Sequence, residues 1–539
     1  MKTILLLGLF LASAFGCGMS THNEASQRAA YWYDGKSSEI INSHRNWVQP
    51  GSFFPDWGYN CRGFSSESEE THWPPFINMS ATYIRTKYQQ PWNEDAQNTI
   101  SFFFGIMSHS VADNSWHSLS MSEGLIEAME HTEFRGDWDA AHTKADIGGE
   151  FVLKRMKDLS GNAELQWNIP TQDLIELYDN YFSGTDVTEN DLETCLLMGY
   201  AGIWGNQILG DFAFPFVRNA PLLVEEYEDY FLGGMNDMAS WTVRCWEDFD
   251  KWLEGGQVRP MCTLMENQWN RKKTGPTIKL PNPELAGEKA VSFLESLGYK
   301  LVVSRKNGFS SVQLTREDGK DPMEYHKEQM KKLNEKFIQE NPDIHPSVAD
   351  CIHEDSFSNS TLAFDSQAKF SQFGASLISG DFNDDGIDDL VIGSPVYGTK
   401  GNPQTGAVYL VYGSPNKKPS EYLLQDIAQS SDLILYGSQR SSKFGIFLFL
   451  FSFSPRSFYE KKKNQSQIQI KIKIKIQNFL GSALTVVDIN RDGVDDLVVS
   501  APFYNSLEMY YDGMVYVYLG SKQGLSSQPV KFFSNYFCF

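Results

Sequence analysis

The chain has 539 residues, more than one hydrophobic core usually organises, so at least two domains are expected. Its 46 Lys and Arg against 68 Asp and Glu leave a formal charge of −22, which argues against a nucleic-acid binder, since those carry a basic footprint. Aromatic residues at 14%, with 13 tryptophans, exclude a chain that is disordered throughout.

Residues 1–16 open with Lys2, run apolar from Ile4 to Leu11 and close on the small residues Ala12, Ala14 and Gly16, the pattern of a secretory signal peptide. The apolar run is too short to span a bilayer, so a secreted, extracellular protein without a transmembrane segment is expected. Cleavage after Gly16 exposes Cys17; cleavage after Ala14 is the alternative. Seven cysteines in a secreted chain permit disulfides, with one left over and the pairing open. Asn78 and Asn359 head glycosylation sequons.

His22 opens a segment that reads as the start of a helix. Close to a fresh α-amine, it can contribute a nitrogen to a metal held partly by the chain terminus. Residues 51–58, with Gly51, Pro55 and Gly58, read as a loop that presents Asp56 among aromatics. His72 stands at a loop-to-helix junction just before Pro74 and Pro75.

From about Asn93 to Leu119 the pattern is helical, apolar around Ile100–Met107, and it carries His109, Asp113 and His117 at steps of four. Four residues advance about 400° on an α-helix, so the three side chains stay within a sector of roughly 80°. His142, Asp146 and Glu150 repeat the spacing. Imidazole and carboxylate without thiolate is the ligand mix of catalytic zinc. Burying such groups without a partner is costly, which favours a metal over an idle core position. Residues 148–252 are mainly helical, in Thr171–Phe182, Asn190–Gly205 and Leu222–Trp252. From Gly255 to about Ser360 the chain reads as a domain edge and an irregular or partly helical connection.

After Thr361 the pattern turns to β and repeats. Asp381, Asn383, Asp385, Ile387 and Asp389 recur as Asp488, Asn490, Asp492, Val494 and Asp496, each set followed by a short strand that ends in Gly. Oxygen side chains at alternate positions around a turn glycine (Gly386, Gly493) form a calcium loop on the EF-hand-like pattern, here between strands. Phe444-Gly445 begins the second repeat, yet its continuation at Ser482 follows only after a low-complexity stretch, 446–481, rich in Phe/Leu and then Lys/Ile. Such tracts are what A/T-rich noncoding DNA yields on translation, so a retained intron is the expected source.

Together these residues resemble the glycosylphosphatidylinositol-specific phospholipase D family across nearly the whole length. The first half resembles the zinc-dependent phospholipase C domain, which is related to fungal single-strand nucleases, and residues 361–502 resemble FG-GAP repeats, the blades of integrin-α-type propellers. The resemblance implies a multidomain chain: a signal peptide at 1–16, an all-α phospholipase C/nuclease-like domain at 17–300, a connecting segment at 301–360 and an incomplete all-β FG-GAP propeller at 361–539. It implies up to three zinc ions. Asp56, His72, His109 and Asp113 would hold one; His117, His142 and Asp146 a second; and Cys17, His22 and a bridging Asp113 the third. The bacterial and fungal enzymes place five residues between the last two ligands of the central helix, whereas three lie between Asp113 and His117.

The implied activity is phosphodiester hydrolysis with Asp56 orienting or deprotonating the attacking water. The substrate would be the inositol-phosphate linkage of glycosylphosphatidylinositol-anchored proteins in membrane lipid, with release of phosphatidic acid, and no nucleic acid is expected as a partner. The side of the phosphate that is cut follows from the resemblance alone. The competing classes are a non-catalytic calcium-dependent adhesion protein and a zinc-dependent phospholipase C or nuclease. A propeller needs about four to eight blades to close, so two blades ending near Phe539 point to a truncated or misassembled gene model with further blades downstream.

Overall fold

The structure, a computed structural model, describes residues 18–59, 61–119, 124–156, 163–255, 283–340, 363–366, 368–414, 424–445, 484–501 and 514–533. They fall into two units, Met1–His353 and Glu354–Phe539. Residues 1–17 with Cys17, the sequon at Asn359 and the 446–481 stretch lie outside the described residues.

The first unit is built around the helix Glu94–Trp116. Asn93 caps it, its side chain accepting the Ala96 amide at 3.0 Å, while Glu94 and Asp95 face the positive end of the helix dipole. Every residue from Thr99 to Trp116 is buried. The helix Arg45–Phe53 crosses it backbone to backbone: a Cβ on Gly51 would lie 2.1 Å from the Phe102 carbonyl oxygen, and one on Gly105 would lie 2.2 Å from that of Val48. The Met235–Leu253 helix packs against the Glu94–Trp116 helix, with the Trp246 indole N–H donating to the Phe104 carbonyl at 2.8 Å. The N-terminal helix, Met19–Trp32, is tied to this assembly through Arg28, which donates to Glu24 and to Asn236 at 2.8 Å each and also pairs with Glu228. A buried guanidinium left unpaired would cost several kcal/mol.

Three expectations need correction. The loop at 51–58 is the end of the Arg45–Phe53 helix running into one 3-10 turn, Phe54–Asp56. Gly51 serves the helix crossing and does not punctuate the chain, and Pro55 sits in a first turn, where its missing N–H costs nothing. The first unit is not all-α, and it does not end at 300. Strand Gln166–Ile169 pairs antiparallel with Phe309–Arg316, which pairs with Tyr299–Lys306, so part of the supposed 301–360 connection is a hairpin of a three-stranded sheet. The turn residues Asn307 and Gly308 have φ of +53° and +81°, the left-handed pair that an Asn-Gly hairpin turn requires. Finally, Leu222–Trp252 is not one helical run but two helices, Pro221–Glu226 and Met235–Leu253. Thr171–Phe182 is helical as expected, and a disulfide, Cys61–Cys195, ties the chain just past Asp56 to the helix Glu189–Ala213.

The second unit contains two four-stranded antiparallel sheets. One runs through Ser376–Gly380, Asp389–Ser394, Ala407–Val411 and Leu433–Tyr436; the other through Leu484–Val487, Asp496–Ala501, Met514–Tyr518 and Val530–Phe533. Val391, Val408 and Leu410 share a buried core with Leu497, Val499 and Tyr516. Among the described residues the sheets do not close into a ring. Their registers match: the Gly374 amide donates to the Gly393 carbonyl at 3.0 Å, and the Gly445 amide donates to Ser500, the same place in the second repeat, at 3.0 Å. Gly445 thus stands where the second repeat needs its leading glycine.

Candidate metal centre

Asp56, His72, His109 and Asp113 arrive from three places in the chain and converge in the buried interior of the helical unit. Asp56 ends the 3-10 turn, His72 closes the Ser65–Thr71 helix, and His109 and Asp113 lie one turn apart on the Glu94–Trp116 helix. The Nε2 atoms of His72 and His109 are 3.1 Å apart. Asp113 Oδ2 lies 3.1 Å from His109 Nε2 and 3.4 Å from His72 Nε2, and Asp56 Oδ1 lies 3.3 Å and 3.9 Å from His72 and His109. A tetrahedral zinc with bonds of roughly 2.0–2.2 Å needs donor atoms about 3.3–3.6 Å apart, so these separations are near what the ion requires and the donor set fits it.

The outer nitrogens are also placed for a metal. His109 Nδ1 faces the Ser52 carbonyl at 2.8 Å, and His72 Nδ1 faces the Ser68 carbonyl at 2.9 Å. A carbonyl can only accept, so each Nδ1 carries a proton and Nε2 is the atom turned into the cluster, the one left to ligate a metal once any proton on it is displaced.

The other oxygen of Asp113 turns away. Its Oδ1 lies 3.3 Å from His22 Nε2, and the His22 ring stacks on His109 with centroids 3.8 Å apart. Both His22 nitrogens and Asp113 Oδ1 are buried without a hydrogen-bond partner. Asp113 therefore presents one oxygen to His72 and His109 and one to His22, the disposition of a bridging carboxylate. Cys17, the expected terminal ligand beside His22, lies outside the described residues.

His117, His142 and Asp146 form a second, shallower cluster. Asp146 is divided between them, Oδ1 at 3.2 Å from His117 Nε2 and Oδ2 at 3.0 Å from His142 Nε2. The Trp116 indole also donates to Asp146 Oδ1, at 3.0 Å, and Trp138 stacks on His142 at 4.5 Å. Glu150, one turn further along the Trp138–Met156 helix, does not join this set: its carboxylate accepts the Thr21 amide at 3.0 Å.

These contacts set the protonation of the free protein. Burial alone would lower the His72 imidazolium, but hydrogen bonds to Asp113 and Asp56 outweigh it and hold the group at about 10. His117, likewise opposed by burial, is held at about 9 by Asp146. Burial pushes His109 down. Asp113 stays well below the usual carboxylate range despite its burial, because His109, His22 and His72 surround it.

The residues that spacing and resemblance single out do come together in the two clusters, but most of what aims them is not visible in the sequence. The Ser52 and Ser68 carbonyls are backbone groups with no side-chain signal. Trp138 had one, an aromatic residue one turn before His142. Asn78 is exposed on the helix Pro74–Lys87.

The blade loops are organised differently. Asp381 accepts the amides of Asp385 and Gly386 at 3.1 and 2.8 Å, Asn383 shares the Asp385 amide at 3.1 Å, and Asp385 accepts Ile387 at 2.9 Å. Asp389 accepts Phe382 and Gly413 at 3.0 and 2.8 Å. Asp488, Asn490, Asp492 and Asp496 repeat this network, with Val494 donating to Asp492 at 2.9 Å and Gly520 to Asp496 at 2.8 Å.

Known proteins match the same two regions. The zinc dependent phospholipase C family matches residues 21–193, and the FG-GAP repeat matches 373–411 and 480–518. The chain is 30% identical over 542 residues to the phosphatidylinositol-glycan-specific phospholipase D of Homo sapiens, covering 98% of this chain and 58% of that protein. Identity to the Bos taurus protein of that name is 31% over 543 residues with the same coverage, and to the Dictyostelium discoideum one 28% over 619 residues, covering 95% and 60%. The chain spans less than two thirds of the length of these relatives.

Proposed function

From the homology of this chain to the phosphatidylinositol-glycan-specific phospholipases D, with a zinc dependent phospholipase C region at 21–193, we propose that the helical unit hydrolyses the inositol-phosphate linkage of glycosylphosphatidylinositol anchors. The products are phosphatidic acid and the formerly anchored protein. The observation that carries this reading is the division of the Asp113 carboxylate between His22 on one side and His72 and His109 on the other, with the His117–His142–Asp146 cluster as a further ligand set.

Zinc bound at these clusters supplies a Lewis acid for the phosphoryl oxygens and a water of lowered pKa. The residues do the rest. His72 and His109 keep their Nε2 atoms directed inward because the Ser68 and Ser52 carbonyls hold their Nδ1 protons. Asp56, beside both imidazoles, orients the attacking water and accepts its proton. The half-open His117–His142 edge is where the phosphodiester enters, since every residue of the deeper cluster is buried. The protein acts as a secreted glycoprotein, with calcium in the Asp381–Asp389 and Asp488–Asp496 loops. Among the described residues no helix is long and apolar enough to cross a membrane.

The test is to incubate the zinc-loaded protein with an anchored protein in detergent micelles, with and without a zinc chelator, and identify the lipid released. Phosphatidic acid that disappears with chelator is expected. Diacylglycerol would replace the reading by a phospholipase C, and cleavage of single-stranded DNA alone by a nuclease. No hydrolysis by folded, zinc-loaded protein would leave an adhesion protein.

A further inference from the structure

The helix Met19–Trp32 carries His22 to Asp113, yet its own first turn is poorly furnished. The N-cap is Gly18, which has no side chain to offer, and the first turn holds no acidic residue. Free amides at a helix start need acceptors. One comes from another helix: Glu150 Oε1 accepts the Thr21 amide at 3.0 Å and the Thr21 hydroxyl at 3.4 Å, while its other oxygen accepts the Asn206 side-chain amide. The fit is close, since a Cβ on Gly18 would lie 2.1 Å from Glu150 Oε1.

We infer that Glu150 is a positioning residue, a cap supplied across the fold that sets the first turn of the N-terminal helix and thereby places the His22 ring beside Asp113. Three observations converge on it. Thr21 directly precedes His22, so the amide that Glu150 holds fixes the backbone from which the imidazole projects. Neither His22 nitrogen has a hydrogen-bond partner, so no carbonyl aims this ring as Ser52 and Ser68 aim His109 and His72. Glu150 also stands one turn from Asp146 on the same helix, so one element both holds the shallow cluster and registers the helix that completes the deep one. A carboxylate at a helix start is favoured by the dipole as well as by the amides.

The inference rests on the metal reading of His22 and Asp113, and two measurements on the full chain separate the two. Zinc content after dialysis against a chelating buffer is compared for the parent, His22→Ala, Glu150→Ala and the double variant. Glu150→Ala is expected to lose the zinc that His22→Ala loses, and the double variant no more than either, because one acts through the other. Glu150→Gln keeps an acceptor for Thr21 and can donate to Asn206 once that amide turns over, so it retains most of the zinc. Amide hydrogen exchange at Thr21–Asn23 is followed in parallel, with and without zinc, and should rise at least tenfold in Glu150→Ala.

Unchanged exchange, parent-like zinc retention in Glu150→Ala, or additive losses in the double variant would overturn the role. A parent that holds no zinc removes the metal reading, while the exchange data still decide the cap. Where Glu150→Ala does not fold, Glu150→Asp is read in its place: it keeps the charge but withdraws the acceptor by one methylene, and parent-like exchange there also overturns the inference.

Discussion

The helical and the strand units both collect aspartates, and they satisfy them in opposite ways. In the strand unit each cluster lies within one nine-residue loop, 381–389 or 488–496, and its carboxylates are answered by the loop's own amides and one from the next strand. In the helical unit Asp56, Asp113 and Asp146 come from separate turns and meet imidazoles rather than amides, with Asp113 Oδ1 and both His22 nitrogens left without a hydrogen bond. A loop that bonds itself can exist before an ion arrives. A buried cluster of imidazoles and carboxylates is completed by one, so the helical unit should depend on a metal far more than the blade loops depend on any ion.

The largest expected effect is loss of hydrolysis, by a factor on the order of 10³ or more, in His109→Ala or Asp113→Ala, since removing a preorganised electrostatic group of this kind costs roughly 10²–10³ or more. Asp113 serves two sides of the centre. Near-normal turnover by a folded variant that still holds zinc would break the comparison at its stronger side.

Next is metal removal. Free zinc at about 1,000 times its dissociation constant stabilises the folded state by about 4 kcal/mol per site, so calorimetry should show the transition of residues 18–340 falling by many degrees on chelation. Equal losses in both units would erase the contrast.

A smaller effect concerns pH. His72 at about 10 and His117 at about 9 both carry protons at neutral pH in the metal-free protein, and zinc must displace them. Apparent affinity at each cluster should therefore weaken about tenfold per unit as pH falls from 8 to 6, read by competition with a coloured chelator. The metal-free protein runs the other way. Folded values raised above the ordinary 6.5 give stability that is present below that value and lost as pH rises through 9 and 10. A pH-independent zinc affinity would contradict this protonation pattern.

Calcium should matter less. Millimolar calcium is expected to raise the transition of residues 363–533 by a few degrees, an increment that Asp385→Asn and Asp492→Asn reduce; no response to calcium would remove these sites. Smallest of all, joining Gly445 directly to Ser482 should leave that transition unchanged, because Gly445 already makes the leading contact to Ser500.

Much of this contrast was legible in the sequence, for reasons that differ between the halves. The blade loops were readable because both their pattern and their partners are local. His109 and Asp113 were readable from helical spacing, which places donors on one face but says nothing of what faces them. That Glu150 leaves the His142–Asp146 set could not be read from spacing, because its partners Thr21 and Asn206 are remote in the chain. The three-stranded sheet was missed although Asn307-Gly308 marked its turn, since the strand Tyr299–Lys306 is exposed along much of its length and lacks clean alternation. Gly51 misled because a glycine that admits a neighbouring helix looks the same in sequence as one that ends its own.

That crossing at Gly51 and Gly105 also governs how much change the protein tolerates. Two main chains in contact have no rotamers to readjust, so the gap between the Ser52 carbonyl and His109 is a dimension of the frame and cannot be recovered by a compensating side chain. A single methyl group at either glycine would force the helices apart and carry Asp56 with them. In a library of variants screened for zinc retention, these two positions, which donate nothing to the ion, should prove as intolerant as the histidines themselves.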